Sequence, residues 1–194
     1  MSHVRRQASP APQGLLDAAG AVLARNPGAA MAEIAAKACV GRATLYRHFP
    51  TREDLIKALA LDSLRRTEEA VGKIPTEGSS PERGLAEVLK AIVPLGDRFR
   101  FLSSEPAVLD DPEIEAAYGR QLDALAELVE AMKAESSLDR AVPTAWVVAA
   151  IDALVYAAWD AVDDGAVARR DAAALAFRTV MSGLGATDAP GSPS

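Results

Sequence analysis

The segment ACVGRATLYRHFPTREDL, residues 38–55, carries the strongest local pattern in the chain. Leu45 and Phe49 are four residues apart, so on an α-helix they share one face. Gly41 is an acceptable N-cap, and Pro50 cannot continue a helix. The segment therefore predicts a short helix over residues 42–49, with an apolar inner face and a basic, hydrogen-bonding outer face.

Three further helices surround this segment. The first is predicted over residues 13–25, where apolar residues recur at helical spacing before the breaker Asn26-Pro27-Gly28. The second covers about residues 31–38, and Thr51 with Asp54 caps a long fourth helix reaching about residue 73. Two short helices joined by a tight turn form a helix-turn-helix, whose second helix enters the DNA major groove.

The charge distribution agrees with a nucleic-acid partner for this part of the chain. Residues 1–60 hold eight bases and four acids, whereas the other 134 residues hold 13 bases and 23 acids. The net charge of the whole chain is −6. Such asymmetry indicates a small basic module that meets a polyanion, attached to an acidic body that does not.

The remaining sequence predicts more helices. They are expected at residues 81–93, from residue 112 onward, and at residues 143–163 and 169–183, with a short element near residues 103–109. No alternation typical of strands occurs. We predict an all-α fold with a flexible arm (1–12), a three-helix helix-turn-helix domain (13–60), a multi-helix effector-binding and dimerisation domain (61–184) and a disordered tail (185–194).

Several classes of protein are disfavoured by the composition. The one cysteine, Cys39, excludes an intramolecular disulfide and a cysteine-based metal site, and neither histidine (His3, His48) is placed to activate it. No Gly-rich phosphate loop is present. Asp152 and Asp160 interrupt the longest apolar run, and no signal peptide is recognisable. We expect no enzyme activity, cofactor, metal or membrane span, and a cytoplasmic protein.

Residues 13–60 resemble the DNA-binding domain of the TetR family of transcriptional regulators. The resemblance rests on Ile34-Ala35, Val40-Gly41, the run Thr44-Leu45-Tyr46-Arg47-His48-Phe49, and Arg52-Glu53. It implies a regulator that binds DNA and responds to a small molecule. Repression is the commonest mode in that family.

The predicted DNA contacts are of two kinds. Arginine can bond guanine O6 and N7 together, so Arg42 is a candidate base reader. Hydroxyl, imidazole and guanidinium groups suit phosphate oxygens. The resemblance implies the same division: bases lie near Arg42 and Ala43, and phosphates near Thr44, Tyr46, His48 and Arg52. The full DNA-binding set is Arg42, Ala43, Thr44, Tyr46, Arg47, His48 and Arg52.

The chain departs from the family pattern at the end of the second helix. Cys39 replaces the usual glycine, so we predict a cysteine in the left-handed conformation. Gly41 replaces the usual Ser or Thr that caps the recognition helix. At the N-terminus, Arg5 and Arg6 either enter the minor groove as an arm or belong to a disordered tail.

The last two helices are predicted to form the interface of a homodimer. One side of residues 143–163 is apolar and rich in small side chains: Trp146, Val147, Ala150, Ile151, Leu154, Ala157, Ala158 and Ala161. The last helix offers a matching stripe: Ala173, Ala176, Phe177, Val180 and Leu184. Two such pairs would make a four-helix bundle, although burial within one chain is the alternative. A dimer would read a palindromic operator.

An effector pocket is implied by the resemblance, between residues 81 and 160. Its candidate lining residues are Phe99, Phe101, Leu102, Tyr118, Leu122, Leu125, Trp146 and Tyr156, and they suit an apolar or aromatic small molecule. Each could instead be a core residue. We predict a sequence-specific DNA-binding regulator that acts as a repressor and is released from its operator by that effector. A helical dimeric adaptor that binds only protein is the alternative.

Overall fold

The computed structural model describes residues 12–75, 78–99, 108 and 110–185. Within them lie eight α-helices and no strand of a sheet; an isolated bridge joins Leu138 and Gly185. The helices are α1 (Pro12–Leu23), α2 (Met31–Lys37), α3 (Arg42–His48), α4 (Arg52–Val71), α5 (Pro81–Ile92), α6 (Pro112–Ala134), α7 (Thr144–Asp163) and α8 (Arg169–Leu184), with a 3-10 helix at Val93–Arg98. The predicted all-α class is confirmed.

Side chains cap three of the helices, α4, α5 and α6, at the starts that the sequence predicts. Thr51 and Asp54 form a reciprocal capping box: Thr51 N donates to Asp54 Oδ2 at 3.0 Å, and Asp54 N donates to Thr51 Oγ1 at 3.0 Å. Ser80 Oγ accepts from Arg83 N at 3.3 Å. Asp111 Oδ1 accepts from Glu113 N at 2.9 Å. The short element predicted near residues 103–109, except Val108, the predicted arm (1–12), except Pro12, and the predicted tail (185–194), except Gly185, lie outside the described residues.

The described residues divide into two compact units. Among the described residues, unit 1 comprises those within 12–65 and 97–116, and unit 2 comprises those within 66–96 and 117–185. The core of unit 1 contains fully buried aliphatic side chains from α1 to α4: Leu15, Leu23, Ile34, Leu45, Leu55, Ile56 and Leu59. In unit 2, α8 packs against α5 and α7. Its core includes Leu85, Leu89, Val129, Met132, Leu138, Val147 and Ile151.

Helix α7 buries part of its predicted apolar stripe and leaves part of it exposed. Val147, Ile151 and Ala158 of the stripe lie in the core of unit 2. Val148 and Val155 lie in the core of unit 2, whereas Trp146 is 65% exposed and Ala157 is also exposed. By length and composition α7 is the one described helix that could cross a membrane, a test that the core helix of a soluble protein also passes. An apolar helix of this kind allows several faces to be buried, and the neighbouring helices select one.

Candidate nucleic-acid interface

A left-handed residue joins α2 to α3. Cys39 has φ 56°, as predicted from its place in the sequence. Cys39 N donates to Ala36 O at 3.1 Å and Val40 N donates to Ala35 O at 3.0 Å, which is the hydrogen-bond pattern of a Schellman motif. The turn thus satisfies the last carbonyls of α2 and redirects the chain within three residues into α3.

Helix α3 has one buried and one exposed face. Leu45 is fully buried and Phe49, just after the helix, is 7% exposed, so these two side chains fix the helix to unit 1. Arg42, Ala43 and Arg47 are exposed on the other side. Tyr46 is 46% exposed, which is unusual for a large aromatic side chain. The exposed face of α3 therefore presents a tyrosine together with two arginines.

Thr44 and His48 are half-buried at the edges of that exposed face. The His48 ring lies 6.3 Å from the ring of Phe49, between centroids, in a tilted arrangement. His48 Nε2 is buried without a hydrogen-bond partner among the described residues. Nε2 of His48 is therefore not presented on the exposed face of α3.

Arg52 is placed differently from the rest of the predicted DNA-binding set. It is the first residue of α4, and its side chain is half-buried. Nη1 donates to Ala29 O and Nη2 donates to Pro27 O, each at 2.6 Å. The guanidinium therefore holds the loop between α1 and α2, a contact that the sequence did not suggest.

A second cation of α4 also makes contacts within unit 1. Lys57 Nζ lies 2.9 Å from Asp111 Oδ2 and 3.0 Å from Glu113 Oε2, at the start of α6. The hydrogen bond to Asp111 raises the pKa of Lys57 and lowers the pKa of Asp111. Lys57 is thus engaged by carboxylates, and the arginines of α3 are the more available positive groups.

In unit 2, two of the predicted effector residues lie beside a half-buried acid, Asp152. Tyr118 of α6 hydrogen-bonds to Asp152 of α7, and Tyr156 lies one helical turn beyond Asp152. Burial raises the pKa of Asp152. Burial also raises the pKa of Tyr118, and the hydrogen bond to Asp152 raises it further. The ring of Tyr156 packs edge-on against Trp159, with centroids 5.0 Å apart.

Asp152 and Trp159 were absent from the sequence-based set of effector residues. The signal present in the sequence is an acid within the apolar run of residues 142–162. No ion pair to Asp152 occurs among the residues that the structure describes. A half-buried carboxylate bonded to a tyrosine and flanked by aromatic rings is a feature typical of ligand sites.

The other predicted effector residues are dispersed. Leu122 and Leu125 are partly buried and pack against the core of unit 2. Trp146 is largely exposed, and Phe99 is buried in unit 1. Phe101 and Leu102 lie outside the described residues. In the parts of the chain that the structure covers, no group of three or more His, Cys, Asp or Glu could hold a metal ion.

The last two helices leave apolar side chains exposed in the single chain. Trp146, Ala149, Ala153 and Ala157 follow one another at helical spacing along the exposed side of α7. Leu175 of α8 is 39% exposed. Of the predicted α8 stripe, Ala173, Ala176 and Val180 are instead buried within unit 2, and Phe177 and Leu184 are partly buried.

Comparison with known proteins agrees with this geometry. The family model "Bacterial regulatory proteins, tetR family" matches residues 15–59, which span α1 to the first turns of α4. The HTH-type transcriptional repressor LfrR of Mycolicibacterium smegmatis is 33% identical over 153 residues, 79% of each chain.

Solved structures give the same result. LfrR from Mycobacterium smegmatis in complex with proflavine has a TM-score of 0.74 at 33% identity, covering 89% of this chain and 95% of that one. KstR2 of Mycobacterium tuberculosis, a ketosteroid transcriptional regulator, has a TM-score of 0.72 at 18% identity, covering 93% and 99%, and shows the fold alone. The chain belongs to the TetR family of bacterial regulatory proteins, which are DNA-binding transcription factors and not enzymes.

Proposed function

We propose that this regulator is a cytoplasmic repressor, which binds a palindromic operator as a homodimer and is released by a small aromatic effector. The observation that carries the proposal is the exposed face of α3. Arg42, Tyr46 and Arg47 stand exposed on a helix whose opposite side is anchored by fully buried Leu45. This division of one helix into an anchor and a reader is what major-groove recognition requires.

On this face each residue has a distinct role. Arg42, in the first turn of α3, reads a guanine edge, and Ala43 packs against the adjoining base edge. Arg47 extends the basic face. Thr44, Tyr46 and His48 contact phosphates and so fix the register without specifying the sequence. Because each neutralised phosphate releases counterions, affinity falls steeply as salt rises.

Dimerisation is proposed through α7 and α8. One recognition helix reads too few base pairs for operator specificity, so a two-fold pair is needed. The exposed Trp146 and the alanines beside it give α7 an apolar surface that a second copy would cover. Small side chains let two helices approach closely, which favours the four-helix bundle expected from the sequence.

The effector is proposed to bind at Tyr118, Asp152 and Tyr156. The rings of Tyr156 and Trp159 offer surfaces for an aromatic ligand. The carboxylate of Asp152 favours a ligand with a positive charge or a hydrogen-bond donor, because burial disfavours an uncompensated charge. The solved complex of the relative LfrR contains proflavine, which supports an aromatic effector.

The first test is the selection of bound sequences from a random double-stranded DNA pool at physiological salt. We expect an inverted repeat to be recovered. The same repeat is then titrated with Arg42→Ala and Tyr46→Ala, and with Arg83→Ala as a control that removes an exposed arginine from unit 2. Loss of a good bidentate base contact costs about 1–3 kcal/mol, so Arg42→Ala should weaken operator binding roughly 5- to 150-fold.

Two outcomes would refute the proposal. If the folded, dimeric protein selects no palindrome, α3 is not a sequence reader and the protein-binding adaptor becomes the better explanation. If Arg42→Ala and Arg83→Ala bind the repeat equally well, the reading surface lies elsewhere. Release by an effector is measured separately, as the loss of operator affinity when the ligand is added. If the ligand weakens DNA binding, linkage requires that DNA weakens ligand binding by the same factor.

A further inference from the structure

Both terminal nitrogens of Arg52 are bonded to backbone of the same loop. Nη1 donates to Ala29 O and Nη2 donates to Pro27 O, at 2.6 Å in each case. Hydrogen bonds from an ionised donor are roughly twice as strong as neutral ones. The two bonds use one N–H of each terminal nitrogen and fix the orientation of the guanidinium against the loop.

The loop that Arg52 holds leads directly into α2. Ala29 is almost completely buried, and Ala30 is the N-cap of α2, with its N–H bonded to Glu33 Oε2 at 3.0 Å. Arg52 itself opens α4. Its side chain therefore connects the first residues of α4 to the residues just before α2.

This connection encloses the whole helix-turn-helix. The bonded residues are 23 and 25 positions apart in the sequence, and between them lie α2, the left-handed turn at Cys39, α3 and the turn into α4. Only short turns join these helices. The hydrogen bonds of Arg52 thus join the two ends of this segment, and the exposed face of α3 lies between those ends.

We infer that Arg52 is a positioning residue for DNA reading, which holds α2 and α4 together so that α3 is presented in one orientation. This inference rests on the proposed reading of DNA by α3. It assigns to Arg52 a role different from the phosphate contact that the family resemblance implies. The planar fork of arginine bridges two carbonyls, whereas the ammonium of lysine is a compact point charge.

The test compares operator affinity and non-specific DNA affinity across a series of salt concentrations. Wild type, Arg52→Ala, Arg52→Lys and the control Arg83→Ala are measured at a temperature where circular dichroism shows each to be folded. We expect both Arg52 variants to bind the operator about tenfold more weakly, because α3 is no longer held in one orientation. Non-specific affinity and the slope of log K against log[salt] should stay at the wild-type values.

Three results would overturn the inference. A slope reduced in magnitude by about 0.9 in Arg52→Ala, with affinity kept in Arg52→Lys, would mean a direct phosphate contact. Wild-type operator affinity in both folded variants, with only a lower Tm, would mean a role in stability alone. A wild-type protein that prefers no operator would remove the proposed function as well. If Arg52→Ala does not fold, Arg52→Lys decides between these results, because it keeps the charge and most of the stem.

Discussion

Replacing Cys39 with glycine should stabilise the protein. Cys39 has φ 56°, in the left-handed region, where an L-residue with a Cβ is strained by about 1–2 kcal/mol. Glycine adopts this conformation without that strain. The thiol contributes little, since it is exposed and its nearest acceptor, Lys37 O, lies 4.0 Å away.

The net gain is smaller than the strain itself. Glycine is more flexible in the unfolded chain, which offsets about 0.4–1 kcal/mol. We therefore expect a net stabilisation of about 0.5–1 kcal/mol. In a chain of 194 residues this corresponds to a rise in Tm of about 1–4 °C.

The assay is thermal unfolding followed by circular dichroism, together with urea unfolding. Cys39→Ala is the matched control, because it removes the thiol but keeps the Cβ, and its Tm should remain near that of wild type. Ser136, with φ 62°, occupies the same position after α6 and has the same hydrogen-bond pattern, so Ser136→Gly should give a similar gain. If Cys39→Ala stabilises as much as Cys39→Gly, or if Cys39→Gly lowers the Tm, the reasoning from backbone strain is wrong.

Two further substitutions test the interior of unit 2. In Gly96→Ala the new Cβ would lie 2.6 Å from Trp159 Cγ. The free energy of unfolding, measured in urea, should therefore fall by about 1–3 kcal/mol. The control Gly119→Ala should not be destabilised, because its new Cβ meets nothing within 4 Å. Equal stability of the two variants would contradict this packing. Because burial raises the pKa of Asp152, its ionised form opposes folding, so Asp152→Asn should be more stable than wild type at pH 7. That advantage should disappear as the pH falls below about 3.9, where the carboxyl is protonated in both states. Thermal unfolding from pH 3 to pH 8 measures it, and a difference independent of pH would exclude the carboxylate as its cause.

The sequence by itself determined the features that depend on near neighbours in the chain. Thr51 and Asp54 cap α4 because they are three residues apart, and Ser80-Pro81 begins α5 for a similar local reason. The two faces of α3 follow from the helical period. The left-handed conformation of Cys39 is implied by the resemblance to the TetR family, because this residue stands where the family usually has glycine at the end of the second helix.

Only the tertiary structure decided the contacts between residues far apart in the sequence. The positive charge of Arg52 suggested a contact with a DNA phosphate. Whether its guanidinium instead bonds to the backbone depends on the position of the loop at residues 27–29. The hydrogen bond between Asp152 and Tyr118 depends on the packing that places α6 beside α7. Similarly, the apolar character of α7 extends too far around the helix to specify its buried face, so packing against α8 placed Val148 and Val155 inside and left Trp146 outside. Local hydrogen bonds follow from the spacing of residues along the chain. The buried face of a helix and the distant partners of its side chains follow from how the helices pack, and that packing is not specified by the spacing.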